Sequence, residues 1–284
     1  MVMAFRWVPR TLTAIAVTSG MFLAGCTAAE TQSDSPKFVT DGTLTVGISP
    51  GYNPMSFRPT PSADVEGTDI DLIEAIADKL ELEIEFKELA ADEIYDAVDN
   101  EEVDVVISAL RNNGKHEKQV DMVDYYVSTT HLVTSSKFVD QFHTESDICG
   151  TSVKVNEKLS DAEAIEAFNE NVCENKDKPS IDIRDGSGYG ELADWAGKAG
   201  SHLSVMNSET LIIYGENPQR DLVTVLDPIA QVNFGIAVST ANTALRDEIA
   251  QILTVFEEDG TTQEIFAAYS AEAGVIQPIV NENS

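Results

Sequence analysis

The sequence has few basic residues, few histidines and three cysteines. Its 284 residues include 18 lysines and arginines against 49 aspartates and glutamates, which gives a formal net charge of −31. Because phosphate backbones repel such a chain, this composition argues against a nucleic-acid partner. The four histidines stand at positions 116, 131, 143 and 202, without the i, i+4 spacing that builds a metal site on one helix. We therefore predict neither a metal site nor a cofactor.

Long apolar runs are also absent beyond residue 25. The apolar stretch 11–24 is too short for a membrane-spanning helix, and it follows Arg6 and Arg10 with no acidic residue, which is typical of an export signal. It ends in Leu23-Ala24-Gly25-Cys26, which resembles the lipobox of bacterial lipoproteins. The resemblance implies cleavage before Cys26 and acylation of that cysteine, such as palmitate chains. We expect a signal peptide at 1–25 and an extracytoplasmic protein anchored by lipid to the bacterial cell membrane. An ordinary buried cysteine behind a cleavable signal is the alternative.

The sequence after the predicted signal begins with a small, polar stretch at 26–37, the composition of a flexible tether. Loss of the two signal arginines leaves 16 bases against 49 acids, a net charge of −33. The two remaining cysteines, Cys149 and Cys173, are predicted to form a disulfide because an exported chain meets an oxidising compartment. Two free buried thiols are the alternative.

Apolar residues alternate as in strands and recur as in helices twice along the remaining chain. The predicted strands are 44–48, 82–86, 103–107, 152–155, 181–183, 203–206, 222–225 and 234–238. Helices are predicted between most of these strands and at 245–256 and 262–269, and Thr68 with Asp71 is the predicted cap of the first helix. Strands that are apolar on both faces indicate largely parallel sheets covered by helices. The pattern predicts an α/β chain with two lobes and a ligand between them.

Four segments carry a family resemblance: 103–121 with the following Tyr125-Tyr126, then 44–57, 67–72 and 234–238. Together they resemble the family 3 extracellular solute-binding proteins, over residues 43–270. The resemblance implies a type II periplasmic-binding-protein-like fold. Its two lobes would be joined by hinge segments near 129–134 and 228–234. Lobe 1 would then comprise 38–131 plus 235–284, and lobe 2 would comprise 132–234.

The same resemblance implies the function. Such proteins are receptors of ABC importers, which capture a small polar solute such as an amino acid and close around it for delivery to the permease subunits. We therefore expect a binding protein and not an enzyme, present as a monomer, with a small polar solute, an ABC permease and the membrane as its partners.

The predicted site departs from the family in lobe 1. Family members carry a Ser or Thr, and five positions later an Arg that grips a carboxylate, where this sequence has Arg111 and His116. Arg111 offers a guanidinium five positions earlier in the chain than the Arg of the family. The alternative is that Arg111 is an ordinary surface arginine. Tyr52 matches the ring that stacks on ligands, whereas Thr68 replaces the usual Phe.

The predicted site departs in lobe 2 as well. Asn207 or Ser208 stands where most members offer an Asp to the ligand ammonium. Nearby Glu209 has two interpretations, an acid that balances the ammonium and, as the favoured one, a solvent-facing acid at a helix start. Ser160 retains part of an anion-binding turn. The predicted ligand-contacting residues are Tyr52, Thr68, Ser108, Arg111, Asn113, His116, Ser160, Asn207 and Ser208.

Two other functions stay open. The first is a secreted enzyme on the same fold, similar to a cyclohexadienyl dehydratase, which would need an acid or base in the cleft. Glu209 and His116 are its candidates, although no pattern pairs them, and we predict no catalytic residue. The second is a ligand-triggered sensor or partner protein without a role in transport.

Overall fold

The computed structural model describes residues 35–112, 114–156, 161–198, 202–215, 217 and 219–281. The predicted signal peptide and Cys26 lie outside them. The strands are β1 Thr43–Ile48, β2 Glu83–Glu88, β3 Val105–Asn112, β4 Val120–Ser135, β5 Ser152–Val155, β6 Asp182–Asp185, β7 His202–Asn207, β8 Leu222–Ser239 and β9 Val275–Val280. The α-helices are α1 Thr68–Lys79, α2 Ile94–Asp99, α3 Asp161–Phe168, α4 Tyr189–Ala196, α5 Ser208–Gly215, α6 Thr243–Asp259 and α7 Thr261–Ala267.

Two parallel groups of strands form the ends of one sheet, whose order is β2-β1-β3-β8-β4-β7-β5-β6. Strand β1 pairs in parallel with β2 and β3, and β5 pairs in parallel with β6 and β7. Helices connect these strands, as the alternating pattern predicts. The predicted α/β architecture is confirmed.

Two long antiparallel strands join the groups. Strand β4 pairs with β8 from Val120 opposite Ser239 to Ser135 opposite Leu222. The prediction of two separate strands at 222–225 and 234–238 is wrong, because both belong to β8. The pairing skips from Ala230 to Val225, and the skipped stretch contains Pro228, which has no N–H to donate. The skipped stretch 226–229 overlaps the hinge segment predicted near 228–234 at its first two residues, and the shift on β4 lies between Thr130 and Leu132.

Buried side chains form separate groups on either side of the long strands. One group joins β1, β3, α1 and α6 with parts of β4 and β8, and a second packs α2 against the same sheet. The remaining groups join β5, β7, α3 and α4 with the other ends of β4 and β8. The two sets of cores are the physical basis of the two lobes.

The first helix begins differently from the prediction. Its N-cap is Gly67 at φ 135°, and the side chain of Thr68 makes no capping bond. Thr68 is instead fully buried and its hydroxyl donates to the sulfur of Met55 at 3.3 Å. A side chain at Gly67 would meet the Met55 carbonyl oxygen at 2.3 Å, so the close approach of two chain segments requires glycine here.

The predicted disulfide is confirmed. Cys149 and Cys173 are bonded, with their Cα atoms 5.5 Å apart and 24 positions apart in sequence. The bond joins the segment before β5 to the end of the helical run that starts with α3. Among the described residues, no helix has both the length and the apolar character needed to cross a bilayer.

Candidate functional site

A cavity of about 310 Å³ lies where the two lobes meet the long strands. Its lining includes Arg111 at the end of β3, Thr130 on β4 and Glu163 on α3. Ala164 and the β8 residues 230–232 complete the described wall. The cavity thus takes residues from β3 and α3, which lie on opposite sides of the long strands, and from both long strands themselves. Its volume is at the lower end of the range of ligand pockets.

The two charged side chains of this cavity are of opposite sign and come from different lobes. Arg111 is half-buried and Glu163 is exposed. A guanidinium binds carboxylates through parallel N–H donors, and a carboxylate binds ammonium or guanidinium groups. The cavity therefore offers complementary groups to a small solute that carries both an anionic and a cationic group.

A hydrogen-bonded cluster also crosses between the lobes. The Asn207 side-chain amide donates to the Tyr52 hydroxyl at 2.6 Å, and that hydroxyl donates to Glu209 Oε2 at 3.1 Å. Ser128 donates to Glu209 Oε2 and Ser208 to Oε1, each at 2.8 Å. We call this the Tyr52 cluster; its members are Tyr52, Ser128, Asn207, Ser208 and Glu209.

Glu209 corrects an expectation from the sequence. It lies at the start of α5, as predicted, but it is fully buried and does not face solvent. A buried carboxylate is costly unless donors surround it, and the hydroxyls of the Tyr52 cluster supply them. Burial, together with the Glu209 carboxylate, raises the pKa of the neighbouring Tyr126.

The Tyr52 cluster and the cavity lie along the same face of β4. Ser128 bonds Glu209 while Thr130 lines the cavity, and residues two apart in a strand point to the same side. The alternate residues Val127, Thr129 and His131 line a second cavity, of about 220 Å³. The cleft face of β4 thus carries hydroxyls toward both the buried acid and the cavity.

A larger cavity, of about 500 Å³, lies elsewhere. It is lined by residues 143–145, Phe168 and 226–229. All of these belong to the segment predicted as lobe 2, so this cavity takes no described residue from the first set of cores. We therefore regard the smaller cavity with Arg111 as the candidate site.

A second buried acid supports the part of strand β3 that carries Arg111. Asp69 is fully buried, accepts a bond from the Tyr125 hydroxyl at 2.6 Å and another from the Ala109 N–H at 2.7 Å. Ala109 has φ of +48°, an uncommon conformation for a residue with a side chain. Burial raises the pKa of Asp69 to about 6 although these two bonds act in the opposite direction. Asp69 thus fixes the backbone two residues before Arg111.

The arrangement of two lobes, two connecting strands and an interlobe cavity matches a known family. The family model for bacterial extracellular solute-binding proteins, family 3, matches residues 44–272. The chain belongs to this family.

Relatives of this family 3 protein include named binding proteins. A probable histidine-binding protein of Campylobacter jejuni is 32% identical over 146 residues, which are 51% of this chain and 56% of the relative. That match spans about half the length of the relative. ABC transporter arginine-binding protein 1 of Escherichia coli is 25% identical over 229 residues, 78% of this chain and 88% of the relative.

The fold agrees with solved structures. An ancestral cationic amino acid solute binding protein has a TM-score of 0.68 and 22% identity, covering 80% of this chain and 95% of that chain. At this identity the likeness shows the fold. The resemblance drawn from the four sequence segments is therefore confirmed at the level of family and fold.

The structure brings some of the predicted contact residues of this family 3 protein to the cleft. Arg111 lines the cavity, while Tyr52, Asn207 and Ser208 meet in the Tyr52 cluster. Asn207 also donates to the Tyr189 hydroxyl at 3.1 Å and caps the first turn of α5 through the Thr210 N–H. Asn113 and Ser160 lie outside the described residues.

Other predicted residues lie away from the described cavity wall. Thr68 is buried against Met55, and Ser108 bonds the backbone N–H and carbonyl of Ser49 at 3.1 and 2.9 Å. His116 stacks on Tyr95 with ring centroids 3.7 Å apart. Burial lowers the pKa of His116, which weakens it further as a cationic group.

Sequence reasoning did not name several residues of the cavity wall. Thr130 and residues 230–232 fall inside the hinge segments that the resemblance placed near 129–134 and 228–234, so that placement was a usable signal. Glu163 stands three residues after Ser160 in a predicted helix, and only the folded structure places it in the same cavity wall as Arg111.

Proposed function

We propose that this chain is the solute-binding receptor of an amino-acid ABC importer. The observation that carries the proposal is the cavity between the lobes, in which Arg111 of one lobe and Glu163 of the other offer opposite charges. The names of the relatives, which include histidine-binding and arginine-binding proteins, agree with an amino acid as the solute.

The contacts within the cleft suggest how an amino acid binds. Arg111 takes the α-carboxylate through its guanidinium. Tyr52 turns away from Glu209 and covers the solute. Glu209 then binds the α-ammonium, the role that an Asp at the position of Asn207 has in most family members. The predicted contacts through Ser108, Asn113, His116, Ser160, Ser208 and Thr68 stay proposals.

Closure and anchoring complete the proposal. Lobe 1 (38–131 plus 235–284) and lobe 2 (132–234) close about the paired strands β4 and β8, and the permease recognises the closed form. Cys26 holds the receptor at the membrane beside that permease through its acyl chains. We propose that it acts as a monomer.

A binding screen tests the receptor function. The compact unit that starts at Asp34 is titrated calorimetrically with amino acids, amines, organic acids and short peptides. We expect saturable binding of an amino acid, with the affinity lowered about tenfold or more by Arg111→Ala, since a charged hydrogen bond contributes about 1.5–3 kcal/mol. Tyr52→Ala also weakens binding. If neither variant changes the affinity of the solute identified, the site assignment is wrong.

The enzyme alternative is tested in the same samples. Among the described residues, His116 contacts Tyr95 and Glu209 bonds the Tyr52 cluster, so no hydrogen bond pairs the two candidates. One solved neighbour is described as the precursor of a cyclohexadienyl dehydratase. Mass spectrometry of each bound solute after incubation distinguishes turnover from binding, and we expect the solute unchanged. Closure on the solute without any association with a permease would instead favour the sensor alternative.

A further inference from the structure

We propose that Glu163 selects the charge of the solute: its carboxylate pairs with the cationic side chain of a basic amino acid whose α-carboxylate binds Arg111. This inference rests on the proposed function and names its solute class. Glu163 is a specificity-determining residue in this proposal.

The position of Glu163 on α3 supports the assignment. Ile165 is fully buried in the core of the second set. A helix turns 100° per residue, so Glu163 lies about 200° away from Ile165 around the axis and faces away from that core. This is the side on which α3 borders the cavity, with Glu163 and Ala164 in its wall.

The Glu163 carboxylate does not stabilise the fold through an ion pair with another described residue. Two other acids of the same lobe are paired, Glu191 with Lys154 and Asp194 with Arg220 at 2.9 Å. Glu163 makes no hydrogen bond or ion pair with another described residue. Its charge is therefore available to a group that enters the cavity.

The charges around the cleft complement a solute with one net positive charge. Arg111 contributes one positive charge, while Glu163 and Glu209 contribute two negative charges. An amino acid with a basic side chain carries one carboxylate and two cationic groups, which matches this set group by group. The formal net charge of −31 over the full 284 residues adds a long-range attraction for cationic solutes.

The test compares solutes that differ in side-chain charge. The full chain, purified in detergent, is titrated calorimetrically with arginine and with glutamine, as wild type and as Glu163→Gln. The matched control is Glu166→Gln, which removes the same charge one turn further along α3 at an exposed position that is not part of the described cavity wall. Thermal melts verify that each variant is folded, and Glu163→Asp is the conservative variant.

We expect Glu163→Gln to weaken arginine binding about tenfold, the lower range for a charged hydrogen bond, and to change glutamine binding less than about twofold. Glu166→Gln leaves both affinities unchanged, and Glu163→Asp retains the preference for arginine. Equal weakening of both solutes by Glu163→Gln, or no weakening, overturns the inference. A wild type that binds glutamine but not arginine overturns it and leaves the proposed function intact. A wild type that binds neither of these two solutes nor any other amino acid of the binding screen overturns both.

Discussion

Replacing Tyr52 with Phe should open the cleft in the absence of a solute. The Tyr52 hydroxyl bonds both Asn207 and Glu209 of the other lobe, whereas the Ser128 hydroxyl of lobe 1 bonds Glu209 alone and is kept in this variant. Phenylalanine keeps the ring and its edge contact with Phe234, whose centroid is 6.2 Å away, and removes the Tyr52 hydroxyl alone. The perturbation therefore addresses the interlobe bonds and leaves the packing in place.

The magnitude follows from the two bonds that are lost. A hydrogen bond between neutral groups contributes about 1 kcal/mol and one to a charged group about 1.5–3 kcal/mol. Tyr52 is half-buried, so water replaces part of both contributions. We expect a net loss of about 2 kcal/mol, which lowers the ratio of closed to open molecules about thirtyfold.

Amide hydrogen exchange resolved by NMR measures this opening. The Thr129 N–H donates to the Ser208 hydroxyl at 3.1 Å, so its exchange reports the contact between the long strand β4 and α5. We expect the Thr129 amide to exchange about thirtyfold faster in Tyr52→Phe, in line with the population change. Amides in the buried strand β1, such as that of Val46, keep their rates.

A matched control is available within lobe 1. The Tyr269 hydroxyl donates to Asp71 at 3.1 Å and joins helix α1 to the turn after α7 within the same lobe. Tyr269→Phe should leave the Thr129 exchange rate unchanged. The reasoning is refuted if Tyr52→Phe leaves that rate unchanged as well, or if it speeds exchange throughout the protein, which would indicate general destabilisation.

Three further predictions concern stability. Replacing Cys149 and Cys173 with Ser should lower the free energy of unfolding by about 3–4 kcal/mol on the chain-entropy model, as measured by urea denaturation, and an unchanged midpoint would contradict it. Burial raises the pKa of Asp69 from 3.8 to about 6, so between these pH values the folded state retains a proton that the unfolded state has released. The free energy of unfolding should therefore fall by about 3 kcal/mol as pH rises through this window. Urea titrations at pH 4 to 7 measure this pH dependence, and Asp69→Asn should remove it. If the pH dependence persists in Asp69→Asn, it arises from other groups. Gly67→Ala should destabilise the chain by more than about 3 kcal/mol, because the added carbon would meet the Met55 carbonyl at 2.3 Å, and a thermal melt equal to that of the wild type would refute this.

Much of the fold could be predicted because its signals are local. Leu44, Val46 and Ile48 alternate because one strand places them on one face, and all three are buried in the core. The helix around Ile73 follows the 3.6-residue period for the same reason. The long strand β8 was predicted in two pieces because Pro228 and its polar neighbours interrupt the apolar pattern. Its pairing with β4 skips the same stretch and resumes beyond it, so both pieces belong to one strand.

The candidate site was predicted only in part, because the type of a residue does not determine its burial or its hydrogen-bond partners. Arg111 and Tyr52 were identified by residue type and position. Glu209 looks from the sequence like any acid at a helix start, and its burial depends on hydroxyls from Tyr52 and Ser128, which are 157 and 81 positions away. Nothing local to Glu209 encodes those partners.

The sequence by itself determined the family, most of the strands and helices and the cysteine pair, since periodicity, short motifs and residue type are properties of neighbouring residues. Tertiary structure decided which acid is buried, which hydroxyls bridge the lobes and which acid shares a cavity with Arg111. The physical reason is that Glu163 and Arg111 are brought to one cavity by the pairing of β4 with β8, a contact between segments about 100 residues apart in sequence.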